Sequence, residues 1–480
     1  MAVAECPEPS ALPIVFVPGI MGSRLRRNGG RLVWDPDNII DLNPFARSQG
    51  SAAANATAGA ATKRRNMVGP PGRGFSDDYL VVDRGVVGGS LTQTRIDRGW
   101  GGLHQSSYLS FLSWLDNTAQ QPASGQVPRG CHAVQYEVFA HPYNWTADNR
   151  TSARGLRQTV AQAVAETTEK WAHRPEIRIL KPVLVTHSMG GLVARAFTQI
   201  QGGAGDVHGV IHGAMPTDGS PATYKRMLSG FEGMLSVVLG YDQGQVTATA
   251  GNMPGALQLL PNVRHQSVDR STDWLRLIKR DGSLRASYPS GDPYREIYAR
   301  PPPVWWRLIH ERYLDPQGDP NGRSARAQSM TQIGKARTFD QALSSNGFHP
   351  NTRMFYADDS GHLCWDKVEW KQSASQDAVA SGQTFYNNGL GRMQWGRWYN
   401  PPSMGMGMPA RPVFLPNTRY DIEDADAPGD GTVHAGSGRH VSGPMSEPTR
   451  RGFDHQEAYG ESFIRPLMAE WLFDMVLEQL

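Results

Sequence analysis

The sequence predicts an α/β fold, in which a mostly parallel sheet carries helices on both faces and a large cap or lid is inserted. One observation is that strand-like runs alternate with helical patterns between residues 108 and 212, the order expected of a parallel sheet covered on two sides. The other is the long stretch 223–410, which carries none of the motifs found before and after it. A region of that size between two parts of one fold is typical of an insertion.

Each element of the predicted core has its own pattern. Short apolar or alternating runs predict strands at 13–17, 134–139, 183–186 and 207–212. Helical spacing predicts helices at 108–115, 154–171 and 192–197. Near the C-terminus, five apolar residues fall on one helical face: Phe463, Leu467, Trp471, Leu472 and Met475. This last helix is expected to close the core.

We therefore expect one interrupted domain. Its first part is 11–222, with a loop insertion at about 45–100; its cap or lid is 223–410; and its C-terminal part is 411–480. Within the first part, the stretch from Ala46 to Thr62 is rich in Ala, Ser and Gly and is typical of a loop.

Two patterns inside the insertion allow two interpretations each. Six apolar residues keep helical spacing and predict either a lid helix over a pocket or a core helix of the cap: Met227, Phe231, Met234, Leu235, Val238 and Leu239. Six tryptophans suit either a lipid-contacting surface or an irregular cap core: Trp305, Trp306, Trp365, Trp370, Trp395 and Trp398.

Composition narrows the class of protein. The chain has 480 residues, enough to bury a large core, and a net charge of only +3 from 48 basic and 45 acidic side chains. So small an imbalance gives no broad electrostatic field for nucleic acid, which we do not expect as a partner. The three cysteines, Cys6, Cys131 and Cys364, are too few and too scattered for a disulfide framework, although one bridge is possible.

The beginning of the chain shows no secretory signal. Residues 1–7 lack a basic segment followed by an apolar core, and no uninterrupted apolar run of about 18 residues follows anywhere in the sequence. We expect a chain made as a soluble cytoplasmic protein without a signal peptide. If it acts elsewhere, a dedicated machine must export it.

The most informative segment is Thr186-His187-Ser188-Met189-Gly190-Gly191, between a predicted strand and a predicted helix. A sharp turn there would lift the Ser188 hydroxyl above the sheet, beside a helix N-terminus, as in a nucleophile elbow. Thr186 departs from the usual Gly-x-Ser-x-Gly pattern and leaves the packing of helix on strand open. An ordinary helix with Ser188 as its N-cap is the alternative. The Gly190-Gly191 pair favours the elbow, because glycine begins a helix poorly unless backbones must approach closely.

An oxyanion site is expected beside the elbow. The strand at 13–17 ends in Pro18-Gly19-Ile20-Met21-Gly22-Ser23, a turn that presents backbone amides. Acyl transfer needs such donors, one from the residue after the nucleophile and one from the loop after an earlier strand. Met189 and Ile20 are the candidates.

An acid and a base should follow the nucleophile in that order. Asp430 lies in the glycine-flanked turn Gly429-Asp430-Gly431, and His455 precedes the last helix. Asp430 would hold the ring of His455 in one tautomer, and His455 would take the Ser188 proton. Other candidates remain, namely Asp358 or Asp359 for the acid and His434 or His440 for the base.

Together these motifs resemble the lecithin:cholesterol acyltransferase-like branch of the α/β-hydrolases, which includes phospholipases and bacterial lipases. The chain also resembles lipase effectors of bacterial type VI secretion. The segments that carry the resemblance run in family order: 18–23, Pro142-Tyr143-Asn144-Trp145, 186–191, Gly429-Asp430-Gly431-Thr432-Val433 and His455. Asn144, where the family often has Asp, and Thr186 are departures that bear on substrate contacts more than on chemistry.

The resemblance implies a serine lipase or phospholipase with a Ser188-Asp430-His455 triad, an acyl-enzyme and no cofactor. It implies a lipid or phospholipid substrate, peripheral contact with a membrane surface, and an immunity or secretion-machine protein as partner. An acyltransferase shares every one of these residues and differs only in passing the acyl group to an alcohol. A non-catalytic lipid-binding protein of the same fold is a third reading. A metal-dependent hydrolase is disfavoured, since no His-Glu-x-x-His or clustered ligand spacing occurs.

Overall fold

A computed structural model gives the fold of the chain. It describes residues 9–38, 60–69, 72–85, 91–118, 134–233, 236, 239–319, 321–374, 384–399, 413–441 and 448–480. The strands are β1 Ser10–Val17, β2 Leu25–Arg27, β3 Leu32–Trp34, β4 Leu80–Val82, β5 Gln135–Ala140, β6 Arg178–Ile179, β7 Val183–His187, β8 Gly209–Gly213, β9 Leu275–Ile278, β10 Leu284–Tyr288, β11 Thr352–Ala357, β12 Asp359–Cys364, β13 Val368–Ala374, β14 Thr384–Asn387, β15 Arg392–Tyr399, β16 Val413–Ile422, β17 Ala427–Gly429 and β18 Thr449–Arg451.

The α-helices are α1 Ala60–Val68, α2 Gln93–Asp97, α3 Gln105–Thr118, α4 Asn149–Trp171, α5 Met189–Arg195, α6 Pro221–Ser229, α7 Gln243–Ala250, α8 Pro254–Leu257, α9 Arg323–Asn346, α10 Ala435–Arg439 and α11 Ile464–Leu477. The predicted core elements occur with shifted ends. The helix predicted at 154–171 begins earlier, at Asn149, because the Asp148 side chain caps it by accepting a hydrogen bond from the Arg150 amide at 2.8 Å.

The central sheet is parallel, as the sequence predicts. Within the described residues, its strands follow the order β18-β11-β8-β7-β1-β5, and β6 also pairs with β1. Parallel sheets are stable only when both faces are covered. The carboxyl ends of β1 and β7 lie side by side, with Val17 opposite Thr186, so the turns that follow them meet at one edge of the sheet.

Strand β1 shows how both faces are buried. Leu12, Ile14 and Phe16 pack with α3 and α11, whereas Val15 and Val17 pack with α4 and α5 on the opposite face. All five side chains are fully buried. The predicted closing helix is α11, in which Leu467, Trp471, Leu472 and Met475 join the first of these faces.

The cap has a second sheet, with the strand order β10-β9-β13-β16-β15-β14. Its strand pairs are antiparallel except for β9 with β13. Apolar side chains from α6, α7 and this sheet, several of them aromatic, form a core separate from that of the central sheet. The chain thus folds as an α/β core with a large inserted cap.

The observed division between cap and core differs from the predicted boundaries, which are 223–410 for the cap and 411–480 for the C-terminal part of the core. One strand from each predicted region pairs within the sheet of the other. Strand β11 falls inside the predicted cap, yet it pairs with β8 and β18 in the central sheet. Strand β16 falls in the predicted C-terminal core, yet it pairs with β13 and β15 in the cap sheet. The apolar run Met354-Phe355-Tyr356-Ala357 explains the first difference, because such a run is suited to the interior of a parallel sheet.

The helical spacing across 227–239, read either as a lid helix or as a core helix of the cap, does not form one unbroken helix. Helix α6 ends at Ser229 because Gly230 has a φ of 86°, and Phe231–Gly233 is not helical. Met227 lies in the buried face of α6 and Phe231 packs against the cap core. Three members of the predicted face, Met234, Leu235 and Val238, lie outside the described residues.

The loop predicted at 46–62 also needs correction at its end, since helix α1 begins at Ala60. Residues 46–59 lie outside the described residues. Strand β4, from the same predicted insertion, pairs with β2. This part of the insertion is therefore built into the fold. The reason is the apolar pair Met67-Val68, which packs with the central core.

Four of the six tryptophans of the insertion belong to the cap core, namely Trp305, Trp306, Trp370 and Trp395. Trp305, Trp365 and Trp370 are buried, and Trp306 and Trp395 are half-buried against the same cluster. The Trp398 side chain, Cys6, Cys131 and residues 1–7 lie outside the described residues. Cys364 is buried and free. No helix in the described part of the chain has the length and apolarity to span a membrane.

Candidate active site

Ser188 lies in the sharp turn between β7 and α5. Its φ is 52° and its ψ is −125°, a strained conformation for a residue other than glycine. The turn requires close backbone approach, because a Cβ on Gly190 would collide with the carbonyl oxygens of Val17 and Pro18 at the end of β1. The geometry is that of a nucleophile elbow rather than of an ordinary cap, since the Ser188 side chain forms no capping hydrogen bond.

Thr186 occupies the position where the Gly-x-Ser-x-Gly pattern has its first glycine, and its contacts explain why threonine is accommodated there. Thr186 Oγ1 lies 2.9 Å from His212 Nδ1 on the neighbouring strand β8, so the hydroxyl is satisfied within the sheet. The Thr186 carbonyl accepts a hydrogen bond from Tyr459 Oη at 2.8 Å. Burial lowers the pKa of His212 to about 3, so its ring is neutral and can share one proton with the hydroxyl. A threonine therefore fits where glycine is usual.

Asn144, which lies where the family often has Asp, forms hydrogen bonds to the backbone of a neighbouring segment. Its amide nitrogen donates to the carbonyls of Asp77 and Leu80, both at 2.9 Å, and its oxygen accepts from Thr146 Oγ1 at 2.6 Å. A carboxylate could not donate those two hydrogen bonds. Asn144 therefore ties the loop after β5 to the start of β4.

His455 joins Ser188 to a buried carboxylate. Its Nε2 lies 2.9 Å from Ser188 Oγ, and its Nδ1 lies 2.7 Å from Asp430 Oδ2. The backbone adds a further constraint, since the His455 amide donates to the Asp430 carbonyl at 2.8 Å. Ser188, Asp430 and His455 are thus brought into one hydrogen-bonded line.

Asp430 is oriented by its own turn. Its Oδ1 accepts hydrogen bonds from the amides of Thr432 at 2.9 Å and Val433 at 2.6 Å. These two donors leave Oδ2 facing the imidazole of His455. The carboxyl is only 1% exposed, so the pair is shielded from water.

The structure places the alternative acids and bases elsewhere. Asp358 pairs with Arg450, and Asp359 accepts from His362 Nδ1 at 2.7 Å. His434 caps α10, and His440 pairs with Asp218. Within the described residues, no group of three or more His, Cys, Asp or Glu side chains is arranged to hold a metal ion.

The loop after β1 approaches Ser188 as the sequence predicts. A Cβ on Gly19 would lie 3.0 Å from Ser188 Cβ, so the two turns are in contact. Met21 has a φ of 62°, and its carbonyl accepts from Trp34 Nε1 at 2.8 Å, which holds this loop in a strained shape. In the described part of the chain, the Ile20 amide has no acceptor, and Met189 is the first residue of α5, where an amide has no partner within the helix. Both amides are therefore available as hydrogen-bond donors.

A cavity of about 380 Å³ opens onto Ser188 and His455. Most of its wall is apolar, contributed by the loop after β1, strands β2–β4 and helices α1, α6, α7 and α8: Ile20, Met21, Leu25, Val33, Trp34, Met67, Val68, Leu80, Met227, Phe231, Leu239, Val246, Ala250, Met253, Ala256 and Leu259. A volume and lining of this kind suit an apolar ligand.

Charged side chains stand where the cap meets the cavity. Arg226 lines it, donates to Glu232 Oε2 at 3.0 Å and stacks over the ring of Phe231 at 5.3 Å. Lys225 pairs with the same carboxylate and lies over Trp365. Burial alone would raise the pKa of Glu232, but Arg226 and Lys225 together outweigh that effect and lower it. Phe231, which lines the cavity, therefore lies beside an ion-paired cluster of the cap.

Two residues beside the site were missed by sequence reasoning. His187 Nε2 lies 2.9 Å from the His455 carbonyl, and His187 Nδ1 lies 2.7 Å from Tyr108 Oη on α3. Burial, with a smaller effect of the neighbouring His455, holds the pKa of His187 well below its usual value. The one available signal was the position of His187 directly before the serine, since nothing in the sequence connects α3 to the elbow.

Comparisons with known proteins bear on the fold that carries this site. The chain has the α/β-hydrolase fold with an inserted cap, a class defined by its parallel sheet and elbow. In particular, it is similar to a chain of the solved structure described as the crystal structure of the Tle4-Tli4 complex. The two share 26% identity at a TM-score of 0.71, covering 98% of this chain and 100% of that one.

A second solved structure, phospholipase PlaB from Legionella pneumophila, shares 12% identity at a TM-score of 0.19, covering 61% of this chain and 77% of that one. At that TM-score the match carries no structural argument. No protein-family model matches the sequence, and no curated protein matches it.

Proposed function

We propose that this chain is a serine lipase or phospholipase that hydrolyses lipid acyl esters. The observation that carries the proposal is the line of hydrogen bonds from Ser188 to His455 to Asp430 at the mouth of an apolar cavity. Such a line activates a serine hydroxyl, and an apolar cavity beside it suits an acyl chain. The structural similarity to a chain of the Tle4-Tli4 complex supports the same class.

The proposed reaction has two steps. Ser188 Oγ attacks the ester carbon while His455 Nε2 takes its proton, and the amides of Ile20 and Met189 stabilise the oxyanion. The His455 proton then passes to the leaving alcohol, which leaves an acyl group on Ser188. Water attacks that ester with His455 as base, releasing the fatty acid and restoring the serine. Asp430 stabilises the imidazolium in both steps.

Substituting the cavity wall should change chain-length preference. Ala256, on α8, is buried and lines the cavity, so Ala256→Phe would occupy space that a long acyl chain needs. We expect the kcat/KM ratio of palmitoyl to butyryl p-nitrophenyl ester to fall on the order of 10-fold or more. Butyryl ester turnover is the internal control, because overpacking that damages the fold would lower both. An unchanged ratio in a folded variant would argue against an acyl role for this cavity.

We further propose that the enzyme is an antibacterial effector delivered by a dedicated secretion machine. The sequence resemblance to type VI lipase effectors supports this, and so does the structural similarity over 98% of the chain to a chain of the Tle4-Tli4 complex. Since that structure is a complex, the similarity also favours a protein partner for this chain. An immunity protein that keeps the enzyme inactive is the partner we propose.

The effector proposal predicts toxicity that depends on compartment. Wild-type chain carrying an added periplasmic signal should stop the growth of a bacterial host, because membrane phospholipids would be hydrolysed there, and the Ser188→Ala form should not. Colony counts and lysophospholipid content measure this. Matched expression of both forms is verified by immunoblot. Equal toxicity of the two forms, or harmlessness of the active enzyme, would favour a housekeeping esterase.

A further inference from the structure

A buried chain of hydrogen bonds runs beneath the candidate active site and connects two of its parts. At one end, the Gly19 amide donates to Tyr108 Oη at 3.4 Å. Tyr108 Oη lies 2.7 Å from His187 Nδ1, and His187 Nε2 lies 2.9 Å from the carbonyl oxygen of His455. Gly19 precedes the oxyanion donor Ile20, so the chain joins the oxyanion loop to the backbone of the base.

The direction of each proton follows from the groups at the two ends. The His455 carbonyl can only accept, so His187 Nε2 carries the hydrogen. In a neutral ring Nδ1 is then an acceptor, and the Tyr108 hydroxyl must donate to it. The Tyr108 oxygen in turn accepts from Gly19. Each donor in this chain of hydrogen bonds therefore meets one acceptor, and each acceptor meets one donor.

The surroundings hold this arrangement rigidly. Tyr108 and His187 are buried, and their rings contact each other and that of Tyr459 in edge-on geometry. A Cβ on Gly22 would lie 3.0 Å from Tyr108 Oη, so the hydroxyl also lies directly under the turn of the oxyanion loop. Burial keeps His187 neutral and raises the pKa of Tyr108, so neither group titrates while His455 acts as base.

We infer that Tyr108 and His187 are positioning residues, which hold the oxyanion loop and His455 in register about Ser188. The inference rests on the proposed function, since it assigns these residues a part in that reaction. Neither residue takes or gives a proton in the chemistry. Their effect is on geometry, and misplacement of reacting groups by about 1 Å can cost on the order of 100-fold in rate.

Tyr108→Phe tests the inference, because it removes the shared hydroxyl while keeping the ring. Tyr108 does not line the cavity, so we expect kcat for p-nitrophenyl butyrate to fall on the order of 10- to 100-fold while KM changes little. The matched control is Tyr298→Phe. Tyr298 is as buried, and its hydroxyl donates to the Pro261 carbonyl at 2.6 Å within the cap. Thermal unfolding should show similar losses of stability for both variants, but kcat should fall only in the first.

A double variant shows whether Tyr108 and His187 affect turnover through one connected chain of hydrogen bonds or independently of each other. If Tyr108 acts through His187, combining Tyr108→Phe with His187→Leu should slow turnover no more than His187→Leu alone. The inference would be overturned if the losses in kcat of the two single variants multiplied in the double variant. It would also be overturned if the kcat of Tyr108→Phe were within twofold of that of Tyr298→Phe. Neither result would contradict the proposed function. A wild-type enzyme without Ser188-dependent turnover would overturn both.

Discussion

Ser188→Ala should abolish turnover of both short esters and lipids, with a loss in kcat on the order of 10⁶. The hydroxyl is the proposed nucleophile, and no other described side chain contacts His455 Nε2 in its place. His455→Ala should lose nearly as much. Alanine keeps the Cβ at the strained φ of 52°, so the elbow should survive the change. Initial rates and labelling by a fluorophosphonate probe measure the loss.

Ser329→Ala is the matched control for that variant. Ser329 is fully buried in α9, and its hydroxyl donates to the Gly251 carbonyl at 2.6 Å, far along the chain from the elbow. It should therefore lose a buried hydrogen bond and keep its activity. Substantial hydrolysis by Ser188→Ala, at a melting temperature equal to that of the control, would contradict the proposed mechanism.

Asp430→Asn should lower kcat by a factor on the order of 10⁴, because it changes the tautomer of His455. Because the amides of Thr432 and Val433 both donate to Oδ1, the asparagine must place its oxygen there. Its NH₂ group then faces His455 Nδ1, which becomes an acceptor. The ring proton moves to Nε2, where it faces Ser188 and prevents proton transfer from the hydroxyl.

Asp359→Asn serves as the matched control. Asp359 was the other sequence candidate for the acid, and it contacts His362 and the Gly361 amide instead of His455. Steady-state kinetics should show activity within about twofold of wild type, as for substitutions away from reacting groups. Near-normal activity of Asp430→Asn together with a large loss in Asp359→Asn would assign the acid to the first residue of β12 instead.

Sequence patterns predicted those features of the molecule that are formed by a few consecutive residues. The elbow at Ser188 and the turn at Gly19 are each a strand and its next few residues, so alternation and small residues suffice to indicate them. Asp430 and His455 were selected by chain order and setting, and the structure brings both to Ser188.

Features that depend on packing between distant segments were not predictable in the same way. Strand β11 looks like part of an insertion until its partners β8 and β18 are known. The periodicity across 227–239 ignores Gly230, whose positive φ ends α6. Tyr108 and His187 are 79 residues apart, and neither has a sequence pattern that connects it to the other. Such contacts follow from the three-dimensional arrangement of helices around the sheet.

The most direct test of the proposed function is fatty acid release from vesicles of phosphatidylethanolamine and phosphatidylglycerol, measured by mass spectrometry for wild type, Ser188→Ala and Ser329→Ala. We predict that wild type and Ser329→Ala release fatty acid and lysophospholipid in equal amounts, and that Ser188→Ala releases neither. Folded wild-type enzyme that releases no fatty acid, or Ser188→Ala that releases as much as wild type, would contradict the assignment of this chain as a serine hydrolase of lipid acyl esters.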